Sequence, residues 1–393
     1  MTTTGRLALL GRVVTPDAVL DDAAVLVEHG RIVAVGPARE LDLAGAETLA
    51  TDGFVLPGLV DLHNHGGGGV GFPDHVDAAT TLRAVHEHRN HGTTTMLASL
   101  VTAPSLVLRE RVAVLADLCD AGEIAGIHLE GPFLSAARAG AQDPSAIRPP
   151  DAALTAELLE IGRGHVRTMT IAPELPGVER VVEALVAGGA VPSFGHTDAD
   201  AATTRAAIEH AVGVLGDARP TVTHLFNGMR PFDHRDPGPI PAIVSAAARG
   251  LVVVELVGDG VHLDVSLVRD VVETIGRDAA VLITDSIAAT GMPDGDHQLA
   301  GMRVTVTDGV ARLTDGGALA GSTSHLIDVV RTVHRAGVPL VDAVYMASAG
   351  PARVLGLSDV GVLVPGAGAD VLLTDADLQP TSVVWNGEVV AAS

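Results

Sequence analysis

The sequence predicts an α/β fold: a (β/α)8 TIM-type barrel carrying a small β-sandwich formed by the N- and C-terminal segments. Three observations predict it. Short apolar runs alternate with helix-like stretches across residues 58–350, β-like segments with hairpin turns flank that region, and histidines and carboxylates recur at the ends of the runs. Strands alternating with helical stretches are the pattern of a parallel sheet with crossover helices.

The N-terminal flank reads as strands over Ala23–Glu28, Arg31–Val35 and Thr48–Val55, with His29-Gly30 at a hairpin position. The C-terminal flank reads as Ala369–Thr374 and Ser382–Val390 around Asn386-Gly387, and Asn-Gly is a strong two-residue hairpin signal. The two flanks are expected to pair with each other. Residues 1–57 and 353–393 then form the small domain, and residues 58–352 the barrel.

The barrel strands are predicted at Leu59–His63, Thr94–Ser99, Gly126–Glu130, Thr168–Ala172, Val191–His196, Thr221–Leu225, Leu251–Leu256 and Val281–Thr284. Ala- and Leu-rich helical patterns such as Ala152–Ile161 and Asp198–Val212 fall between them. A doubly wound open sheet is the alternative, but no G-x-G-x-x-G follows the first strand. Residues 302–315 interrupt the alternation as a hairpin around Asp308-Gly309.

Composition narrows the class. Of 393 residues, 47% are hydrophobic and only 2% aromatic, so the core is packed with Ala, Val, Leu and Ile. The formal charge, 25 − 48 = −23, argues against nucleic acid or an anionic membrane as partner. The single cysteine, Cys119, lies in an apolar helical stretch and reads as core, which excludes an intrachain disulfide and a cysteine-based zinc site. The first residues do not resemble a secretory signal, and no apolar run reaches the roughly 18–20 residues of a membrane span. A cytoplasmic enzyme is expected. All 25 basic residues are arginine, which removes lysine Schiff-base chemistry and any lysine-derived metal bridge.

A barrel of this type places its active site at the C-terminal ends of the strands. His63 and His65 close the first predicted strand, Glu130 the third and His196 the fifth; His224 ends the sixth and Asp285 follows the eighth. Period-two geometry puts His63 and His65 on one face of an extended segment. Imidazole and carboxylate are natural ligands for zinc and similar divalent ions, so His63, His65, Glu130, His196 and His224 are read as a metal site. A bound ion lowers the pKa of its water towards about 7 and polarises a carbonyl. Asp285 is positioned to take the water proton and return it to a leaving amine. By contrast His86, His88 and His91 read as a solvated helix end, and His128 as a structural neighbour of Glu130. Gly66–Gly69 reads as a flexible loop, with phosphate cradling by its amides as a second reading.

The run His128-Leu129-Glu130-Gly131-Pro132-Phe133 resembles the H-L-E-G-P-[FW] segment of N-acetylglucosamine-6-phosphate deacetylases, members of the amidohydrolase superfamily. Gly195-His196, Thr223 to Met229 (THLFNGM), Asp259-Gly260-Val261-His262 and Thr284-Asp285 resemble further family motifs, in the family's order, over nearly the whole chain. The resemblance implies hydrolysis of N-acetyl-D-glucosamine 6-phosphate to D-glucosamine 6-phosphate and acetate, in amino-sugar catabolism and cell-wall sugar recycling. It implies Glu130, His196 and His224 as principal metal ligands and Asp285 as catalytic acid/base. His262 is implied as a substrate-contacting histidine, with Ala141, Gln142, Asn227, Gly228, Leu319, Ala320 and Gly321 as further substrate-binding positions. Arg235 matches an arginine that reaches the sugar phosphate from a partner subunit, which implies a homodimer. Because both His63 and His65 are present, one or two ions are open, zinc first and iron, cobalt or manganese as options. With no lysine to carbamylate, Glu130 would be the bridge. N-acetylgalactosamine 6-phosphate is the alternative substrate. Another amidase or deaminase on the same barrel, or a non-catalytic barrel protein, are the remaining readings.

Overall fold

The computed structural model describes residues 5–74 and 77–390. Residues 1–4 and 391–393, which the sequence reading assigned to the flanking domain, lie outside the described residues.

The N-terminal strands are β1 (Arg6–Val14), β2 (Val19–Glu28), β3 (Arg31–Pro37) and β4 (Glu47–Pro57). They join C-terminal strands β18 (Val371–Thr374), β19 (Pro380–Trp385) and β20 (Glu388–Val390) in one seven-stranded mixed sheet. Strand β4 joins the two halves, pairing with β1 in parallel and with β18 antiparallel. The tips His29-Gly30 (φ 49° and 73°) and Asn386-Gly387 (φ 52° and 81°) both adopt positive φ, the geometry that matches the right-handed twist of flanking strands. Ile32 N donates to Ala367 O and Gly387 N to Ala369 O, lacing the sheet around its own apolar core of Leu9, Val25, Val55, Val371 and Leu373.

The second sheet is the barrel, in the order β5 (Leu59–Asp61), β8 (Thr93–Leu100), β9 (Gly126–Glu130), β10 (Val166–Ile171), β11 (Val191–Phe194), β12 (Thr221–Val222), β13 (Val253–Val257) and β14 (Ala280–Ile283). All eight predicted strands are present; β5, β10, β11, β12 and β14 end one to three residues before the predicted C-terminal ends, β9 ends where expected, and β8 and β13 run one residue further. Two-residue strands β6 (Gly66–Gly67) and β7 (Val70–Gly71) form a tight hairpin after β5. The barrel closes beyond the strand ends. Asp285 N donates to His63 O at 3.0 Å and His65 N to Ser286 O at 2.7 Å. Beneath that seam the buried Asp61 carboxylate accepts from Thr284 Oγ1 at 2.6 Å.

Helices α1 (Ala78–Asn90), α2 (Ser105–Asp120), α3 (Ala152–Ile161), α4 (Val178–Ala187), α5 (Ala201–Leu215), α6 (Ile240–Ala248), α7 (Val265–Ile275) and α8 (Leu326–Arg335) surround the barrel, followed by α9 (Leu340–Met346) and α10 (Ala349–Val354). Asp77, Asp151, Asp200 and Asp264 cap α1, α3, α5 and α7 by accepting from backbone amides of the first turn, each such cap being worth about 1 kcal/mol. Part of the chain's acidity is therefore helix punctuation. Ala352 of α10 and Leu355 pack with Val60, Val253 and Ile283 at the barrel interior. The insertion after the eighth strand has three strands, not the expected two: β15 (Gly295–Leu299), β16 (Met302–Thr307) and β17 (Val310–Leu313). The polar sequence of β15, Gly-Asp-His-Gln-Leu, conceals it from an apolar-pattern reading.

Candidate functional site

Four imidazoles and two carboxylates converge where the barrel strands end. His63 Nε2 lies 2.9 Å from His65 Nε2, and Asp285 Oδ1 lies 3.4 Å from each of them. On the other side His196 Nε2 lies 3.2 Å from His224 Nε2. Glu130 stands between the two pairs. Its Oε1 is 3.0 Å from His196 Nε2 and 2.9 Å from His224 Nε2. Its Oε2 is 3.3 Å from His65 Nε2 and 3.8 Å from His63 Nε2. Two clusters suited to a cation result, His63–His65–Asp285 and Glu130–His196–His224.

Local backbone conformation aims these side chains. His196 (φ 45°), His224 (φ 29°) and Asp285 (φ 50°) all adopt left-handed backbone immediately beyond their strands, a conformation that non-glycine residues hold only when the surroundings impose it. His196 is held on both sides by glycines: a Cβ on Gly228 would stand 2.8 Å from its Nδ1, and one on Gly140 3.3 Å from its Cε1. Its Nδ1 donates to Arg138 O at 2.7 Å. His65 Nδ1 in turn donates to Ser99 O at 3.2 Å.

The electrostatics follow from burying opposite charges together. Burial alone would lower the pKa of His63, but Asp285 and Glu130 outweigh it and hold the imidazole well above its ordinary value. Burial likewise opposes protonation of His65 and His196, and the same carboxylates again win. For Glu130, burial would raise the pKa, yet His63, His196 and His224 hold it well below the carboxylate range. Asp285 is lowered too, against burial, by His63 and His65. Paired imidazole nitrogens this close present lone pairs to one another unless a proton or a cation lies between them. The donor set of imidazole nitrogen and carboxylate oxygen suits zinc and its first-row neighbours.

A cavity of about 220 Å³ opens over the cluster, lined by His65, Glu130, His196, His224 and Asp285, and by Ala141, Gln142, Asn227, Gly228, His262, Leu319 and Gly321 among others. His262 is fixed by Asp259, whose Oδ2 accepts from its Nδ1 at 2.8 Å, and its Nε2 faces Asp285 Oδ2 at 3.8 Å. Gln142 lines the cavity and also braces the site: its Nε2 donates to Glu130 Oε2 at 2.6 Å while its Oε1 accepts from Thr102 N at 2.7 Å. Two positions named with the pocket residues stand apart from it. Ala320 is fully buried, and Arg235 is exposed in the 231–238 loop; neither lines the cavity.

His128 packs edge-on against His63, ring centroids 4.4 Å apart, but offers the cluster no nitrogen, because Ser99 Oγ and Thr170 Oγ1 occupy both at 2.9 and 2.8 Å. The Gly66–Gly69 turn is not a free loop: the amides of Gly66, Gly68 and Gly69 are bonded to Asn64 Oδ1, Thr290 O and Ala288 O. Nor is the α1 histidine run a solvated end. Only His86 is exposed; His88 is fully buried and donates through Nε2 to Gly66 O at 2.8 Å. The sequence reading missed Glu255, whose Oε2 lies 3.2 Å from both His63 Nδ1 and His224 N. A lone carboxylate inside Val253-Val254-Glu255-Leu256-Val257 was the signal that could have found it.

Comparison with known proteins agrees with this geometry. The amidohydrolase family model matches residues 54–390, and a bacterial imidazolonepropionase-like composite domain matches residues 23–42 of the flanking sheet. The chain is 32% identical to N-acetylglucosamine-6-phosphate deacetylase of Bacillus subtilis, over 97% of this chain and 96% of that protein. It is 31% identical to N-acetylgalactosamine-6-phosphate deacetylase of Escherichia coli O157:H7, over 97% and 98% of the two chains. The N-acetyl-D-glucosamine-6-phosphate deacetylase of Mycobacterium smegmatis, solved in complex with N-acetyl-D-glucosamine-6-phosphate, matches with a TM-score of 0.91 and 41% identity, covering 98% of this chain and 100% of that one. A barrel closed at its catalytic end, a buried histidine–carboxylate cluster and full-length similarity make this chain a metal-dependent hydrolase of the amidohydrolase family, in its N-acetylglucosamine-6-phosphate deacetylase branch.

Proposed function

We propose that the chain hydrolyses the acetamide of N-acetyl-D-glucosamine 6-phosphate, releasing D-glucosamine 6-phosphate and acetate. The observation that carries this reading is the Glu130 carboxylate, with one oxygen beside His196 and His224 and the other beside His65, and with Asp285 adjoining. The donor set fits two divalent ions: His63, His65 and Asp285 would hold one and His196 and His224 the other, with the Glu130 carboxylate beside both groups; zinc is the first choice. Such ions, when bound, supply an activated water and polarise the acetamide carbonyl.

The chain's own groups do the rest. Asp285 takes the proton of the attacking water and delivers it to the sugar nitrogen as the C–N bond breaks. His262, locked by Asp259, directs Nε2 into the cavity beside Asp285; as the imidazolium that Asp259 and Asp285 favour against burial, it can donate from Nε2 to the developing oxyanion. Ala141, Gln142, Asn227, Gly228, Leu319 and Gly321 shape the sugar pocket, with Ala320 supporting it from behind. Arg235 is exposed and outside the pocket of its own chain. It therefore suits a homodimer in which each subunit lends this arginine to the other's phosphate, and a guanidinium holds phosphate bidentately. Residues 58–352 serve as the catalytic unit, with 1–57 and 353–393 as its supporting domain, and we place the enzyme in the cytoplasm.

Acetate release from N-acetylglucosamine 6-phosphate, N-acetylgalactosamine 6-phosphate and unphosphorylated N-acetylglucosamine, measured with wild type and Asp285→Asn, tests the proposal. The gluco phosphate should be the best substrate, and Asp285→Asn should lose about 10²–10⁴-fold in kcat. Equal rates on phosphorylated and free sugar, or near-normal turnover by the variant, would refute it.

A further inference from the structure

We infer that Glu255 is a positioning residue that orients His63 and thereby controls retention of the ion in the His63–His65–Asp285 half of the site. The inference deepens the two-ion reading above and rests on it.

Glu255 lies at the middle of β13, where alternation puts it on the same face as Val253 and Val257. Those two valines belong to the apolar interior cluster with Val60, Leu62 and Ile283. The carboxylate is 1% exposed. Burying an ionised carboxylate among valines costs several kcal/mol unless it is well paired, so an apolar residue would serve packing alone better. Its hydrogen-bond geometry indicates what it serves. Oε2 receives His63 Nδ1–H and the backbone amide of His224, both at 3.2 Å. One buried oxygen thus touches a residue from each half of the site.

Donation from Nδ1 fixes the tautomer of His63. Nε2 is then the nitrogen with the lone pair, and it is the one that faces His65 Nε2 at 2.9 Å and Asp285 Oδ1 at 3.4 Å. His65 and His196 are oriented instead by neutral backbone carbonyls, those of Ser99 and Arg138. His63 is the imidazole of the cluster whose Nδ1 meets a carboxylate. It is also fully buried and absent from the cavity wall, so neither solvent nor substrate can hold it in place. A carboxylate behind a metal-binding histidine fixes the ring and strengthens it as a donor, and removing such a partner typically weakens metal binding about 10–100-fold.

The test is metal binding rather than turnover. Full-length wild type, Glu255→Gln, Glu255→Ala, His63→Gln and the Glu255→Ala/His63→Gln double variant are stripped of metal and titrated with zinc against a competing chelator. Bound zinc is counted by elemental analysis, and circular dichroism and thermal melting are recorded alongside. Wild type should bind two zinc ions per chain. Glu255→Ala should keep one at wild-type affinity and hold the other about 10–100-fold more weakly. Glu255→Gln, whose amide oxygen can still accept from His63 Nδ1, should fall between, and remains informative if the alanine variant does not fold. The double variant should bind like His63→Gln alone. Two ions held at wild-type affinity in both Glu255 variants, or equal weakening of both ions, overturns the inference. A wild type that binds only one zinc overturns the two-ion reading itself, before any variant is compared.

Discussion

Gly228→Ala separates the cost of an imposed backbone conformation from the cost of a displaced ligand. Gly228 has φ 59°, and an added Cβ would stand 2.8 Å from His196 Nδ1 and 3.1 Å from Cε1. Left-handed backbone costs an L-residue roughly 1–2 kcal/mol, a penalty that falls on folding with or without metal. The collision is a separate matter. Gly140 borders the same ring, so His196 must rotate, and its hydrogen bond to Arg138 O, 2.7 Å long, is strained or lost. Losing the orientation of one metal-binding histidine corresponds to about 10–100-fold in affinity, or roughly 1.4–2.7 kcal/mol. Gly250→Ala is the matched control, since Gly250 has φ 70° and a Cβ added there would meet nothing within 4 Å. Urea unfolding of the metal-free proteins should show the backbone penalty in both variants, with about 1 kcal/mol more in Gly228→Ala for the strained His196–Arg138 hydrogen bond. Chelator-competed metal titration should show weakened binding in Gly228→Ala alone. Wild-type metal affinity in Gly228→Ala would mean that His196 either moves freely or is not a ligand, and the site assignment would fail.

Arg235→Ala should raise KM for the phosphorylated sugar while leaving turnover of unphosphorylated N-acetylglucosamine unchanged; equal effects on both substrates would remove Arg235 from phosphate recognition. Metal affinity should rise with pH through and above the ordinary imidazole range, with proton release seen as a buffer-dependent heat in calorimetry, because His63, His65 and His196 carry raised pKa values in the metal-free protein and must lose their protons to coordinate. In the same metal-free protein, the lowered pKa values of Glu130 and Asp285 contribute stability that is lost as pH falls through them. The raised histidines contribute stability that is lost as pH climbs through theirs, so unfolding free energy should peak between the two ranges.

Much of the fold was legible because each barrel strand is an apolar run bounded by turns, and because His29-Gly30 and Asn386-Gly387 can each hold two successive positive φ values. The cluster was legible because strand ends are where such a barrel gathers its chemistry. What escaped sequence reading depends on the third dimension. His88 looked solvated beside His86 and His91, but the helix face it occupies packs on the Gly66 hairpin, which no one-dimensional periodicity reveals. The Gly66–Gly69 amides looked available, yet Asn64, Ala288 and Thr290 occupy three of them. Glu255 was hidden for the opposite reason: apolar averaging over 253–257 absorbed the single charge that mattered. Arg235 lies in an exposed loop away from the cavity, and the phosphate role proposed for it leaves no mark in hydrophobic pattern or spacing.

The positive φ values at His196, His224 and Asp285 connect fold and chemistry. A β-strand that simply continued would send successive side chains to opposite faces, carrying some of these groups out of the barrel. Ending β11, β12 and β14 two residues early and entering left-handed backbone turns each side chain over the barrel mouth instead. At Asp285 the same turn also makes the closing hydrogen bonds, because its amide donates to His63 O while its carbonyl accepts from Ser322 N at 2.7 Å. Gly321 must be glycine for this reason, since a Cβ there would lie 2.6 Å from the Asp285 carbonyl oxygen. The residue proposed to move protons is thus also the one that joins the first strand's extension to the last. Its carboxylate is held against His63 and His65 by the closure of the barrel itself, and the strained turn that would be a defect elsewhere is what keeps the site rigid.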